Sequence, residues 1–384
     1  MLTKADMSEQ PATETLKDLR IERGLCHVTF AYDAARFINL GEAERRIRKT
    51  TAERQTLPHK RRTPGYFEYK PPPLRVTYPC ESVQVGPCAT RSTVDLVLFD
   101  FGAVTADYTI PLQGSFDDLL TLSEGLYDNA FLLTDSRKRI EELIKTLGDA
   151  ATLANLADVV EDYVIFEIES LSRPVDLSRL QNEYRRQIAQ ILRAERRPLS
   201  NQEVDDAFAA ILSYGTDDVA IVDWNAALLV DREGTEIREV LQFANVELVE
   251  MRYLEQKLDS SLDKAYEMIS KRPRGLLGRL RGHGSALRGI AELQVDSATL
   301  FEGVNNALKL LGDQYLARVY RVVSQRFHLD DWDASILRKL QTLESIYQKM
   351  SDQAATRRME ILEWAIIILF VFSIILEVMH LRIP

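Results

Sequence analysis

Two stretches of this chain concentrate side chains able to hold phosphate. Residues 45–70, "RRIRKTTAERQTLPHKRRTPGYFEYK", carry nine cations against two acids, with Tyr66, Phe67 and Tyr69 interleaved. Arg45, Arg46, Lys60, Arg61 and Arg62 are suited to phosphate oxygens, and Tyr66 and Tyr69 to stacking on unpaired bases. Residues 271–288 hold six cations and no acid, beginning with Lys271, Arg272 and Arg274. Three readings stand open for both stretches: RNA or a ribosomal surface, anionic lipid head groups, or solvated loops that offset an acidic protein.

Catalytic chemistry finds less support. "DFG" at Asp100–Gly102 matches the magnesium-binding element of kinases, but the glycine-rich loop, VAIK-type lysine and HRD segment are missing. Gly102 is expected to serve a tight turn or bulge between two strands. "GLLGRLRGHGS" lacks the GK[ST] ending of a phosphate loop and follows a helical pattern, so it reads as a linker. An enzyme of unrecognised type would have to use acids such as Asp100, Asp107 and Asp223. Cys26, Cys80 and Cys88 have neither zinc nor CxxC spacing, and an odd count suggests free thiols. No metal and no cofactor are expected.

The 384 residues suffice for two modest domains, or for one with a helical extension. A net charge of −10 argues against a protein that coats nucleic acid over its whole surface. Residues 1–24 read as a disordered lead-in without a secretory signal, because they lack an apolar run.

The closing segment is of another kind. Eleven of the sixteen residues from Trp364 to Met379 are Ile, Leu, Val or Phe. Trp364, Ile366, Ile367, Ile368, Leu369 and Phe370 lead a run over residues 361–381 whose rise of about 1.5 Å per residue reaches the roughly 30 Å of a bilayer's hydrocarbon. Arg357 and Arg358 precede it and only Arg382 follows. That asymmetry predicts a single-pass anchor with the bulk of the protein cytoplasmic, as at a bacterial inner membrane. A buried core helix is the competing reading.

These segments need elements to position them. "LCHVTFAYD", "LRVTYP", "VDLVLFDFG", "AVTADYTIP" and "DYVIFEIE" read as strands. "SFDDLLTLSEGL", "SRKRIEELIKTLGDA", "LSRLQNEYRRQIAQILRA" and "NQEVDDAFAAILSYG" read as helices. "LVLFDFGAVTADYTI" and "VAIVDWNAALLVDRE" share a pattern, which suggests two related α/β halves within residues 25–232. From 233 to 360 the spacing is helical. Leu241, Ala244, Leu248, Met251, Leu258 and Leu262 form one stripe; Leu300, Val304, Leu308, Leu311, Tyr315 and Val322 a second; Ile336, Leu340, Leu343 and Tyr347 a third. The last two predict an antiparallel hairpin, with Asp330 or Asp331 capping the returning helix. Such stripes pack within one chain or join copies into a homo-oligomer. The fold class is α+β, followed by a long helical stalk and one transmembrane helix.

The order of "FDFGAV", "EIREVLQFANVELVEMRYLEQKLDSSLDKAYEMI", "DQYLARVYRVVSQRFHLDDWDASILRKLQTLESIYQKM" and "LEW" resembles the family named for "required for meiotic nuclear division", domain of unknown function 155. The resemblance runs from about Leu25 to Met379. Leu362, Glu363 and Trp364 with Ile366 and Ile367 carry it best, and Phe99, Phe101 and Gly102 more loosely. It implies a protein anchored at its C-terminal end whose mitochondrial relatives support translation by tethering ribosomes to a membrane, with no catalytic residues to transfer. The expected function is a membrane-anchored, non-catalytic scaffold whose partner is RNA, a ribosome or another protein.

Overall fold

The computed structural model describes residues 19–53, 72–173, 177–231, 234–270, 295 and 314–380. Twelve strands are described: β1 (Arg20–Asp33), β2 (Phe37–Ile38), β3 (Leu74–Pro79), β4 (Gln84–Val85), β5 (Cys88–Ala89), β6 (Thr93–Leu98), β7 (Ala103–Ser115), β8 (Ala151–Thr152), β9 (Glu161–Leu171), β10 (Ile211–Leu212), β11 (Val219–Val222) and β12 (Ala226–Val230). Eight of them form a mixed sheet in the order β10-β11-β12-β9-β1-β7-β6-β3. Only the β12–β9 pair is parallel. The two look-alike segments are the β6–β7 and β11–β12 hairpins, and both belong to this one sheet.

The sheet has two unlike faces because its strands alternate two kinds of residue. On β1, Cys26, Val28, Phe30 and Tyr32 join Val104, Ala106, Tyr108 and Ile110 of β7 and Phe166 and Ile168 of β9 in one apolar core. The helices α1 (Leu40–Glu53), α2 (Phe116–Leu126), α3 (Ala130–Leu147), α4 (Leu177–Glu183), α5 (Arg185–Leu192) and α6 (Asn201–Ala207) contribute to it. Ile47, Leu120, Leu143, Leu180, Ile191 and Val204 are among their buried side chains. Each Leu or Ile buried there is worth about 1.5–3 kcal/mol. On the opposite face, the alternate residues His27, Thr29, Thr105, Asp107 and Glu167 are buried but polar.

Local chemistry sets the boundaries. Ser115 caps α2 in a reciprocal box with Asp118, an arrangement worth about 1 kcal/mol. Gly102 closes the β6–β7 turn at φ +111°, and a Cβ there would lie 1.6 Å from the Ala35 carbonyl oxygen. The "DFG" stretch is therefore a hairpin turn that only glycine can complete.

Some expected boundaries are corrected. Regular structure is present before Leu25: β1 starts at Arg20, and Ile21 is buried and pairs with both β7 and β9. Residues 45–53, read within the basic stretch 45–70, belong to α1, which buries Leu40, Ala43 and Ile47. The helix expected across "LSRLQNEYRRQIAQILRA" breaks at Tyr184, whose ring packs on Phe116 at 4.7 Å. "NQEVDDAFAAILSYG" is helical only to Ala207, because Ile211 and Leu212 pair with β11.

The chain divides into two compact units. The first holds the sheet, α1–α6, the start of α7 (Thr235–Ser270) and α8 (Gln314–Arg326). The second holds α7 from Met251 and α9 (Leu329–His380) from Asp330 onward. Within the second unit the Ser335 hydroxyl donates to Glu255 at 2.8 Å, and Lys339 donates to Asp259 at 2.6 Å. Both contacts join residues 80 apart. A constant separation means that α7 and α9 run parallel. Their apolar stripes, Leu254 and Leu258 on one and Ile336, Leu340, Leu343 and Tyr347 on the other, are buried inside the chain. The expected helix from Leu300 to Leu311 lies outside the described residues. Asp330 and Asp331 occupy the first turn of α9, where their charge favours the helix dipole without forming the N-cap itself.

Candidate functional site

A polar row crosses four strands of the sheet. Thr77 of β3 stands opposite Asp95 of β6, Asp95 opposite Asp107 of β7, and Asp107 opposite Thr29 of β1. Hydroxyls satisfy the carboxylates: Thr77 donates to Asp95 and Thr29 to Asp107, each at 2.5 Å. Thr105 adds a bond to Asp107 at 3.2 Å, and the Gln242 amide of α7 reaches both Asp107 and Thr29 at 3.2 Å. Burial pushes the Asp107 carboxyl above its usual range, opposed by the Arg75 charge and the Thr29 bond.

One turn earlier on α7, Arg238 donates to Glu167 of β9 at 2.6 Å and meets His27 Nε2 at 3.2 Å. Nε2 also lies 3.5 Å from the Glu167 carboxylate. Burial lowers the His27 pKa, which favours the neutral ring. Burial pushes Glu167 up, but the His27 bond and the Arg238 charge outweigh it and hold it below the usual range. Glu239, the next residue of α7, is pushed up to about 7 by burial against the pull of Arg75 and Arg238. Chemically this layer is a helix-to-sheet junction made by hydrogen bonds and ion pairs where an apolar core would be usual.

A second cluster gathers on Asp223 in the β11–β12 turn. Arg193 after α5 donates to it at 3.0 Å, and Arg326 at the end of α8 bonds it directly. Both arginines also bind Asp206 of α6. The bonds from Arg326, with help from Arg193, outweigh burial and pull Asp206 down to about 2. Beside them Phe327 packs edge-on to Tyr163 at 5.2 Å, and His328 stacks on Trp224 at 5.4 Å. This cluster clamps α8 onto the hairpin.

The three acids that an enzyme would have needed are held apart. Asp107 is on β7, and Asp223 is in the turn joining β11 and β12, three to four places away in the sheet, about 14–19 Å at ~4.8 Å per strand. Asp100 sits in the hairpin turn, about 10 Å or more along the strands from Asp107. Among the described residues no group of three or more His, Cys, Asp or Glu could hold a metal ion.

The third feature is apolar. Residues Met359–Leu376 of α9 are long and apolar enough to cross a membrane, and none of that stretch is buried within the chain. Trp364, Ile366, Ile367, Ile368, Leu369 and Phe370 are all exposed. Exposure of these side chains on every side of the helix is unlike a core helix, which hides at least one face.

Comparison with known proteins places the sheet. Residues 23–236 match the family model described as "Uncharacterized protein MJ0711, N-terminal domain". The chain belongs to this family. The protein of that name from Methanocaldococcus jannaschii is 20% identical over 224 residues, covering 58% of this chain and 67% of the relative. No solved structure matches. The family region contains His27, Thr29, Asp95, Asp107 and Glu167, and it ends two residues before Arg238.

Of the cations singled out as phosphate contacts, Arg45 and Arg46 lie among the described residues. Arg45 is exposed and pairs with Glu42. Arg46 is tied to Glu42 at 3.0 Å and donates to the Leu147 carbonyl at 2.8 Å, so it braces α1 against the end of α3. Lys60, Arg61, Arg62, Tyr66, Tyr69, Lys271, Arg272 and Arg274 lie outside the described residues. The polar row was not anticipated. Its signal was there in "CHVTFAYD", where His27 and Thr29 alternate with four apolar residues.

Proposed function

We propose that this protein is a single-pass, membrane-anchored scaffold whose α+β unit engages a partner on the cytoplasmic side. One observation carries the reading: Met359–Leu376 exposes large apolar side chains all round a helix, and a bilayer covers such a surface on every side. Arg357 and Arg358 before the span favour an N-terminal bulk on the cytoplasmic side. Ser270 ends the described part of α7. By the constant spacing of 80 it is level with Met350, about 13 Å of helix before Met359. Lys271, Arg272 and Arg274 follow Ser270 directly in sequence, which favours anionic lipid head groups over RNA as their contact.

The resemblance to the "required for meiotic nuclear division" family supports a tether that serves translation at the membrane, with a ribosome, RNA or protein as partner. The separation of Asp100, Asp107 and Asp223 favours the scaffold over an enzyme built on those acids. The heptad positions Ile336, Leu340, Leu343 and Tyr347 are already covered within the chain, so self-association would need other surfaces.

Fractionation tests the anchor. Full-length protein should stay with membranes in alkaline carbonate, and a chain ending before Met359 should be released. Full-length protein that washes off would overturn the reading.

A further inference from the structure

We propose that the outward face of α8 is a docking site for a short acidic protein segment. Arg318 and Arg321 take its carboxylates, and Tyr214 and Trp224 take apolar side chains beside them. This names a partner for the α+β unit, and it rests on the scaffold reading in that respect alone.

The helix "QYLARVYRVVSQR" holds three arginines and no acid, in a chain of net charge −10. Leu316, Val319, Tyr320 and Val323 form its buried face. Gln314, Arg318, Arg321 and Gln325, spaced four, three and four apart, line the exposed one. In so acidic a protein an arginine ordinarily finds a carboxylate, as Arg139, Arg196, Arg238 and Arg326 do. Among the described residues, Arg318 and Arg321 pair with none. Arg318 instead donates to the Ser213 carbonyl at 3.1 Å and lies 5.3 Å over the Tyr315 ring.

Aromatic side chains stand at both ends of this row. Tyr214 is 78% exposed, yet its ring rests edge-on against Tyr315 at 5.1 Å and its amide donates to Asp218 at 2.7 Å. Trp224 is 43% exposed and stacks on His328 at 5.4 Å, while its amide donates to Asp223 at 2.8 Å. His328 holds that position at φ +52°, a conformation uncommon outside glycine. Rings fixed in this way lose little entropy on binding. Trp, Tyr and Arg are also the residues that dominate binding energy at protein interfaces.

Size and charge select the occupant. Tyr315 to His328 spans about 20 Å at ~1.5 Å per residue, and a helix is about 10 Å wide. Such a strip is far smaller than the roughly 800 Å² that each side of a standard interface contributes. It suits a short segment, not the flank of a folded domain. A guanidinium fork meets a carboxylate in two parallel hydrogen bonds. Phosphates would fit the same forks, but exposed Asp217 in the Tyr214 loop and half-exposed Asp206 beside Arg326 flank the row. They repel a polyanion more than a segment whose carboxylates lie only at Arg318 and Arg321.

The test pans a phage-displayed library of random short peptides on full-length protein in detergent micelles. Enriched peptides should combine acids with an aromatic or large aliphatic residue, and synthetic copies should bind more weakly as salt is raised. Arg321→Ala and Trp224→Ala should each weaken binding about thirtyfold. Arg321→Lys should recover part of the loss, since it keeps the charge without the fork. Tyr127→Ala, at an exposed aromatic between α2 and α3, should change nothing. No enrichment, peptides without acids, or binding that survives Arg321→Ala would overturn the proposal. So would displacement of the peptide by single-stranded RNA with the same dependence on Arg321. Carbonate fractionation reads the anchor separately, so failure here with membrane association intact strikes this proposal and leaves the anchor standing.

Discussion

Thr29 and Asp107 stand directly opposite each other on neighbouring strands, and the threonine hydroxyl donates to the carboxylate at 2.5 Å. The pair is buried, with Asp107 4% exposed. Its bonds substitute for water that the carboxylate has lost. Thr29→Val removes one donor at nearly constant volume and leaves Thr105 and Gln242 in place. The expected loss is about 1–3 kcal/mol in chemical denaturation. A neutral Thr29→Val would show that the polar row contributes nothing net to stability.

Gly102 and Gly41 make a paired test of backbone freedom. Gly102→Ala meets both a positive φ and the Ala35 carbonyl oxygen, so it should prevent folding or cost more than about 3 kcal/mol. At Gly41, in the first turn of α1, the nearest atom to an added Cβ is a side-chain oxygen at 3.6 Å. Gly41→Ala should be neutral or stabilise by up to about 1 kcal/mol. The melting temperatures of the two variants report this directly, and equal effects would refute the assignment of Gly102 to the turn.

Asp223 and Asp100 should respond unequally to the same substitution. Asp223 is 1% exposed and bonded by two arginines, so Asp223→Asn strands both guanidiniums and should cost about 3 kcal/mol. Asp100, half-buried in a turn, should lose less than 1 kcal/mol. Urea midpoints separate the two, and an Asp100→Asn loss as large as that of Asp223→Asn would contradict the geometry.

Part of this architecture was legible in the sequence. β3 matches "LRVTYP" residue for residue, because alternation and a closing proline mark both its face and its end. The apolar stripes of α7 and α9 were legible from their three- and four-residue spacing, and most of their residues are buried. Their direction was not, since a periodic stripe gives no orientation; the Ser335–Glu255 and Lys339–Asp259 contacts together supply it. The Asp223 cluster joins residues from 193 to 326, and no local pattern announces contacts across such distances. The polar row escaped notice because threonines and aspartates that alternate with apolar residues ordinarily face water.

The Asp206 carboxylate gives a pH prediction. Its pKa, held near 2 by Arg326 and Arg193, lies below the usual value of 3.8. The charged form is thus favoured in the folded state, and its stabilisation is present above pH 4 and lost as pH falls toward 2. Since Asp206 is half-exposed, salt should weaken the effect. In Arg326→Ala the carboxyl should titrate nearer 3.8 by carbon NMR. An unchanged titration would mean that Arg326 does not hold Asp206 in solution.

The parallel course of α7 and α9 can be checked by chemistry that reads contact directly. A carbodiimide joins an amine to a carboxylate only when the two already touch. Lys339 lies 2.9 Å from Glu255 and 2.6 Å from Asp259. Treating full-length protein and mapping peptides by mass spectrometry should find Lys339 joined to Glu255 and Asp259. Lys339→Arg should abolish both links, because a guanidinium keeps the ion pair but does not form the amide. An antiparallel arrangement would reverse the register, so that residues beyond Lys339 on α9 meet positions before Glu255 on α7. Links from Lys349 to Asp263 or Glu267 are compatible with the parallel course, given the spacing of 80, whereas links from Lys349 to residues before Glu255 would overturn it.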